Sequence, residues 1–175
     1  MNFEYKHLLD PGFDPDSRVW IYQGSRIFSL SEALEIESML EEFIGQWNSH
    51  GTKVKGAAHL FFGQFIVLIA DETASGVSGC STDSSVRLIK EIERRFAVNM
   101  FDRLNLAFVI KDKVQLLPIA QLEYAVSNQF INGETLYFNN LVQSKKELEE
   151  KWIVPVKESW LIKKIPYDKL QPASH

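Results

Sequence analysis

Cysteine is nearly missing from this chain of 175 residues: Cys80 stands alone, and no Cys and His residues fall together at metal-ligand spacing. One thiol cannot close an internal disulfide, and zinc or iron-sulfur sites have no ligand set, so a reducing cytoplasm is the expected setting and no metal or cofactor is expected. Positive charge is also scarce. With 19 Lys and Arg against 23 Asp and Glu, the net charge is -4. A broad nucleic-acid footprint needs clustered cations to neutralise phosphates, which leaves only a small patch around Lys163 and Lys164. No apolar run approaches bilayer length, and Met1 to His7 show no basic region leading into an apolar stretch. Neither membrane insertion nor secretion is expected.

Several motifs are absent too. No Gly-x-x-x-x-Gly-Lys-Ser/Thr loop occurs, which excludes a P-loop ATPase core, and Gly76-Val77-Ser78-Gly79 lacks the Gly-x-Ser-x-Gly spacing of a nucleophile elbow. Calcium-loop spacing, internal repeats and low-complexity tracts are likewise missing.

What is present is ordinary globular material: 45% of the residues are hydrophobic, enough to bury a substantial core. Residues 1–17, with Pro11, Gly12 and Pro15, suggest an irregular arm; residues 18–118 suggest an α+β core domain and 119–175 a C-terminal extension packed on it. Val19 to Gln23 suits a short strand. Ser29 with Glu32 makes a capping box, and Ala33, Ile36, Leu40, Phe43, Ile44 and Trp47 give the apolar face of a helix running to about Ser49. The accompanying glutamates are a solvated face, and His50-Gly51 is the expected helix stop.

A hairpin over Lys53 to Phe62 and Gln64 to Asp71 should turn at Gly63, its second strand apolar enough to be central. A second helix starts near Ser81 or Asp83 and buries Val86, Ile89, Ile92 and Phe96; Leu106 to Ile110 is the next strand. Strand, helix, strand, strand, helix, strand is the order of a ferredoxin-like split βαβ sandwich, with two helices on one face of an antiparallel sheet. Further strands at Val114 to Pro118 and Leu136 to Phe138, and helices at Ile119 to Asn128 and Ser144 to Trp152, follow. Trp20 and Trp47 read as core, whereas Trp152 and Trp160 read as interface candidates.

Asp71 to Asp83 is the segment richest in chemistry, a Gly/Ser turn between a central strand and a helix start, where free N–H groups and the helix dipole favour an anion. Ser78, Gly79, Ser81 and Asp83 are the candidate ligand-binding residues there, with Arg103 as a carboxylate clamp. Cys80 is the candidate nucleophile, since a helix N-terminus favours the thiolate, and His50 or His59 would be its base. Against this, a lone cysteine is usually buried packing, and Ser or Asp at a helix start is usually a cap. Asp71, Glu72 and Asp83 as a cation site is weaker, because adjacent strand residues point to opposite sides.

Trp47-Asn48-Ser49-His50-Gly51, Ser78-Gly79-Cys80-Ser81-Thr82-Asp83-Ser84-Ser85-Val86, Phe101-Asp102-Arg103, Phe138-Asn139-Asn140-Leu141-Val142 and Ser159-Trp160 together resemble a family of short bacterial proteins of unknown function, often labelled "ABC transporter ATPase". The resemblance spans Val19 to Leu161, departs at Thr82 where the family pattern is apolar, and implies no activity or catalytic residue. Its label conflicts with the missing Walker motifs. The expected function is therefore a non-enzymatic ligand-binding or interaction domain with its site at Ser75 to Ser85, its partner a small anion or a protein, a homodimer included. A cysteine-dependent or redox-responsive protein using Cys80 is the alternative.

Overall fold

A computed structural model describes residues 2–71, 73 and 79–165, with the side chains of residues 79–81 left out. It is an α+β protein whose described chain divides into two compact units, Phe3–Asp102 with Asn140–Glu149, and Arg103–Asn139 with Asn2 and residues 150–165.

The first unit is built on a three-stranded antiparallel sheet. Strand β1 (Arg18–Gln23) leads to helix α1 (Leu30–Gln46), a small hairpin β2 (Asn48–Ser49) and β3 (Thr52–Lys53), then β4 (Lys55–Phe61) and β5 (Phe65–Asp71). The sheet order is β1-β5-β4, with β5 central and all seven of its residues buried. Helix α2 (Gly79–Phe96) closes the unit's main run.

Local signals explain these elements. Ser29 accepts the Glu32 N–H while Glu32 accepts the Ser29 N–H, so two orphan donors of the first turn of α1 are satisfied reciprocally. Phe62 and Gly63, at φ of 55° and 64°, make the β4–β5 turn with the twist that matches right-handed strands.

Ile36 and Leu40 from α1, Trp47 just after it, and Ile89, Ile92 and Phe96 from α2 pack on Ile66, Leu68 and Ala70 of β5. The opposite face of β5 shows Phe65, Val67 and Ile69, also buried. On that side Tyr5 meets Phe61 edge-on and its hydroxyl donates to the Leu148 carbonyl. The N-terminal arm, with one 3-10 turn at Lys6–Leu8, thus buries Tyr5, Leu9 and Phe13.

Three strands of the expected split βαβ order are in this sheet, but the fourth is not. Strand β6 (Asn105–Ile110) belongs to a separate antiparallel sheet of the second unit, ordered β7-β6-β8-β9, with β7 (Lys113–Pro118), β8 (Leu136–Phe138) and β9 (Ile153–Pro155). Its partner β7 is two residues away, across Lys111 and Asp112 at φ of 50° and 58°. Closing that short hairpin costs little loop entropy. The outer edge of β1 instead receives Gln143 and Ser144, through Val19 N–H to the Gln143 carbonyl and an Arg18–Ser144 bridge.

Helix α3 (Leu122–Ser127) and helix α4 (Lys145–Lys151) complete the fold. Ser144 caps α4 by accepting the Glu147 N–H, whereas Glu147 reaches past it to the Gln143 N–H.

Three expectations are corrected in the first unit. Helix α1 ends at Gln46, because Trp47 turns extended at φ -68° and ψ 112° and its carbonyl accepts the Val54 N–H. His50 and Gly51, at φ of 48° and 79°, form the β2–β3 turn rather than the helix stop. In α2, Ser85 is fully buried where Val86 was expected, its hydroxyl donating to the Thr82 carbonyl. In the second unit Trp152 is fully buried with its ring edge-on to Phe138, so it is core, not interface. Trp160 packs on the same unit's core and donates its indole N–H to the Tyr137 hydroxyl.

Candidate functional site

Helix α2 begins at Gly79, two to four residues earlier than expected, so Gly79, Cys80 and Ser81 occupy its first turn. Their side chains, and all of residues 74–78 including Ser78, lie outside the described residues, and the anion-turn and thiol readings lie there with them. Asp83 is exposed on α2. Arg103 is exposed and opens the second unit, whereas Gly79 to Asp83 belong to the first. His50 is exposed on the β2–β3 turn and His59 is half-buried in the middle of β4. The two histidines are not brought together.

Asp71 is buried at the end of β5 and its oxygens are already engaged. One carboxylate oxygen accepts the Thr73 hydroxyl at 2.6 Å and the Thr73 N–H at 3.0 Å; the other accepts Lys55 Nζ at 3.0 Å and the Asp14 N–H at 3.4 Å. The Thr73 bonds, then Lys55, hold its carboxyl far below the usual range. It is a structural tie between arm, β4 and the exit of β5. Among the described residues no group of three or more His, Cys, Asp or Glu could hold a metal ion.

The feature sequence reasoning missed lies at the other side of the sheet. Strand β4 is an edge, and among the described residues no strand pairs with its outer side. Alternate residues of an edge strand direct N–H and C=O groups away from the sheet. This edge forms the floor of a groove of about 690 Å³, walled by α1 through Glu37, Leu40, Glu41 and Ile44 and by Leu8 of the arm. Ala57 and Ala58 are the small residues of the floor. Gly56 before them is small for a separate reason: a Cβ there would lie 2.6 Å from the Trp47 ring.

His59 lies in the groove. Its ring stacks on Phe61 at 5.1 Å, and its Nε2 is buried with no hydrogen-bond partner among the described residues. Burial lowers its pKa, favouring the neutral imidazole. No carboxylate orients either candidate base among the described residues. The only cue to the groove in the sequence was the small-residue run of β4, which states nothing about strand order.

Among the described residues no helix is long and apolar enough to cross a membrane. No family model, curated protein or solved structure matches this chain.

Proposed function

We propose that this chain is a non-enzymatic interaction domain working in a reducing, cytoplasmic setting, and that it docks its partner in the groove between α1 and the edge of β4. One observation carries the reading: no strand among the described residues pairs with the outer side of a seven-residue edge strand, which is flanked by a helix and the arm. Proteins normally blunt such an edge with charge, proline or a bulge, since an open ladder templates pairing with other chains. Residues 56–60 carry none of these devices. An edge kept plain but walled on both sides suits a selected partner and hinders indiscriminate pairing.

The test is a random heptapeptide library displayed on phage and panned against the full chain, with selected peptides mapped by backbone amide shifts. Shifts centred on Ala57 to Leu60 and on Glu37 to Ile44 are expected. Shifts confined elsewhere, or a library yielding no binder, would overturn the reading.

A further inference from the structure

The groove wall carries a charge and spacing pattern that specifies an occupant. Leu30, Leu34, Glu37, Glu41 and Ile44 recur along α1 at steps of four, three, four and three, so they share one side of the helix. That is the groove side, because Glu37, Glu41 and Ile44 line it. The core side of α1 is marked by Ile36, while Leu40 and Ile44 lie at the boundary, touching both core and groove. Leu30 and Leu34, on the same side of the helix, are 79% and 61% exposed, two large apolar side chains left in solvent.

Two other acids of α1 are held in ion pairs. Glu32 is bound by Arg26 through both carboxylate oxygens, and Glu35 is paired with Arg95 of α2. Among the described residues Glu37 and Glu41 have no ion-pair partner, and no Lys or Arg lines the groove. Two carboxylates along an open β-edge call for two cations on whatever pairs with it.

Spacing identifies which backbone supplies them. Glu37 and Glu41 are separated by about 6 Å along the helix axis. Alternate side chains of a β-strand are about 6.6 Å apart, so residues i and i+2 of an added strand meet both acids. Leu34 and Ile44 lie about 4.5 Å beyond each acid along the axis, about 2 Å short of the positions of residues i-2 and i+4. The intervening residues of the strand would face the other wall, made by Leu8, His59 and Phe61.

We propose that the groove takes an extended segment of another protein, added as a strand to β4, with the pattern apolar-x-Lys/Arg-x-Lys/Arg-x-apolar. This rests on the interaction-domain reading and names the chemistry of its partner. Ladder hydrogen bonds to β4 hold the segment, and the two cations opposite Glu37 and Glu41 select it. A second copy of this chain fits less well. Pairing β4 with its twofold copy would set Glu37 and Glu41 of one α1 against those of the other across the joint, a like-charge contact.

The probe is the acetylated, amidated heptapeptide Leu-Thr-Lys-Val-Lys-Thr-Leu, titrated against the full chain by isothermal calorimetry. A peptide with Glu at both Lys positions should bind about tenfold more weakly or worse, and raised salt should narrow the gap. The E37K/E41K double variant should reverse that preference, which loss of fold would not do. N-methylation of the ladder-facing amides should abolish binding. Equal binding by the two charge forms would overturn the inference while leaving the groove reading standing, whereas tight binding that maps away from β4 would overturn both. Sedimentation showing a dimer that this peptide dissociates would identify a second copy as the occupant and also overturn the inference.

Discussion

The Asp71 carboxylate on β5 accepts Lys55 Nζ from β4 at 3.0 Å, on the opposite face of the sheet from the two helices. The same oxygen accepts the Asp14 N–H, and Lys55 also donates to the Gly12 carbonyl at 2.6 Å and covers the Phe13 ring. One buried carboxylate therefore ties residues 12–14 of the arm to the open end of the β4–β5 hairpin.

Replacing Asp71 with Ala leaves the Thr73 and Asp14 N–H groups and Lys55 without their acceptor. The expected loss is about 1–3 kcal/mol, read from urea unfolding midpoints. The pH dependence follows from the depressed folded pKa: the unfolded chain takes up the proton first, so the contribution is complete above the ordinary carboxylate range and falls away as pH drops below it. Wild type should lose more stability than Asp71→Asn between about pH 5 and about pH 2. Parallel losses in the two proteins would contradict this role.

Substituting Gly56 with Ala forces a Cβ to within 2.6 Å of Trp47 Cε3 and 2.8 Å of Cζ3. Trp47 is 1% exposed, so the ring has nowhere to go without shifting Ile44 and α1. A cost of about 1–3 kcal/mol with altered tryptophan fluorescence is expected. Unchanged stability and emission would show that the contact is slack.

Ser29→Ala removes the acceptor for the Glu32 N–H and half of the capping box. About 1 kcal/mol of stability should be lost, seen as a lower urea midpoint with unchanged slope. Glu32, held at about 2 first by the Arg26 fork and then by its Ser29 backbone bond, stays ionised across the physiological range, so the loss should not vary between about pH 5 and about pH 8.

His59 gives a second pH effect. Burial lowers its folded pKa below 6.5, so the unfolded chain binds the proton first. Stability is complete above the unfolded value and is lost as pH falls toward the folded one. His59→Leu removes the unpartnered Nε2 and should flatten the stability profile between about pH 7 and about pH 5. An identical slope in the variant would contradict the assignment.

Much of the local structure was legible because its causes are local. Ser29 with Glu32, Gly63 between two β-rich runs, and the apolar steps of α1 each act within a few residues. His50-Gly51 misled because the same left-handed glycine serves a helix stop and a hairpin turn, and the choice depended on Trp47 being pulled extended into the core. Trp152 was read as an interface residue because its burial depends on Phe138, which the chain reaches only through β8. The groove was illegible for a related reason: β4 is an edge only because β5 pairs with β1, and no local signal encodes strand order.

Amide hydrogen exchange along β4 tests the central claim most directly. Without ligand, the outward-facing amides among Gly56 to Leu60 should exchange rapidly while those bonded to β5 are protected. Saturating Leu-Thr-Lys-Val-Lys-Thr-Leu should slow the outward set selectively, alternating residue by residue. Outward amides already protected in the free protein, or a bound peptide that leaves their exchange unchanged, would contradict an open β4 edge as the docking site.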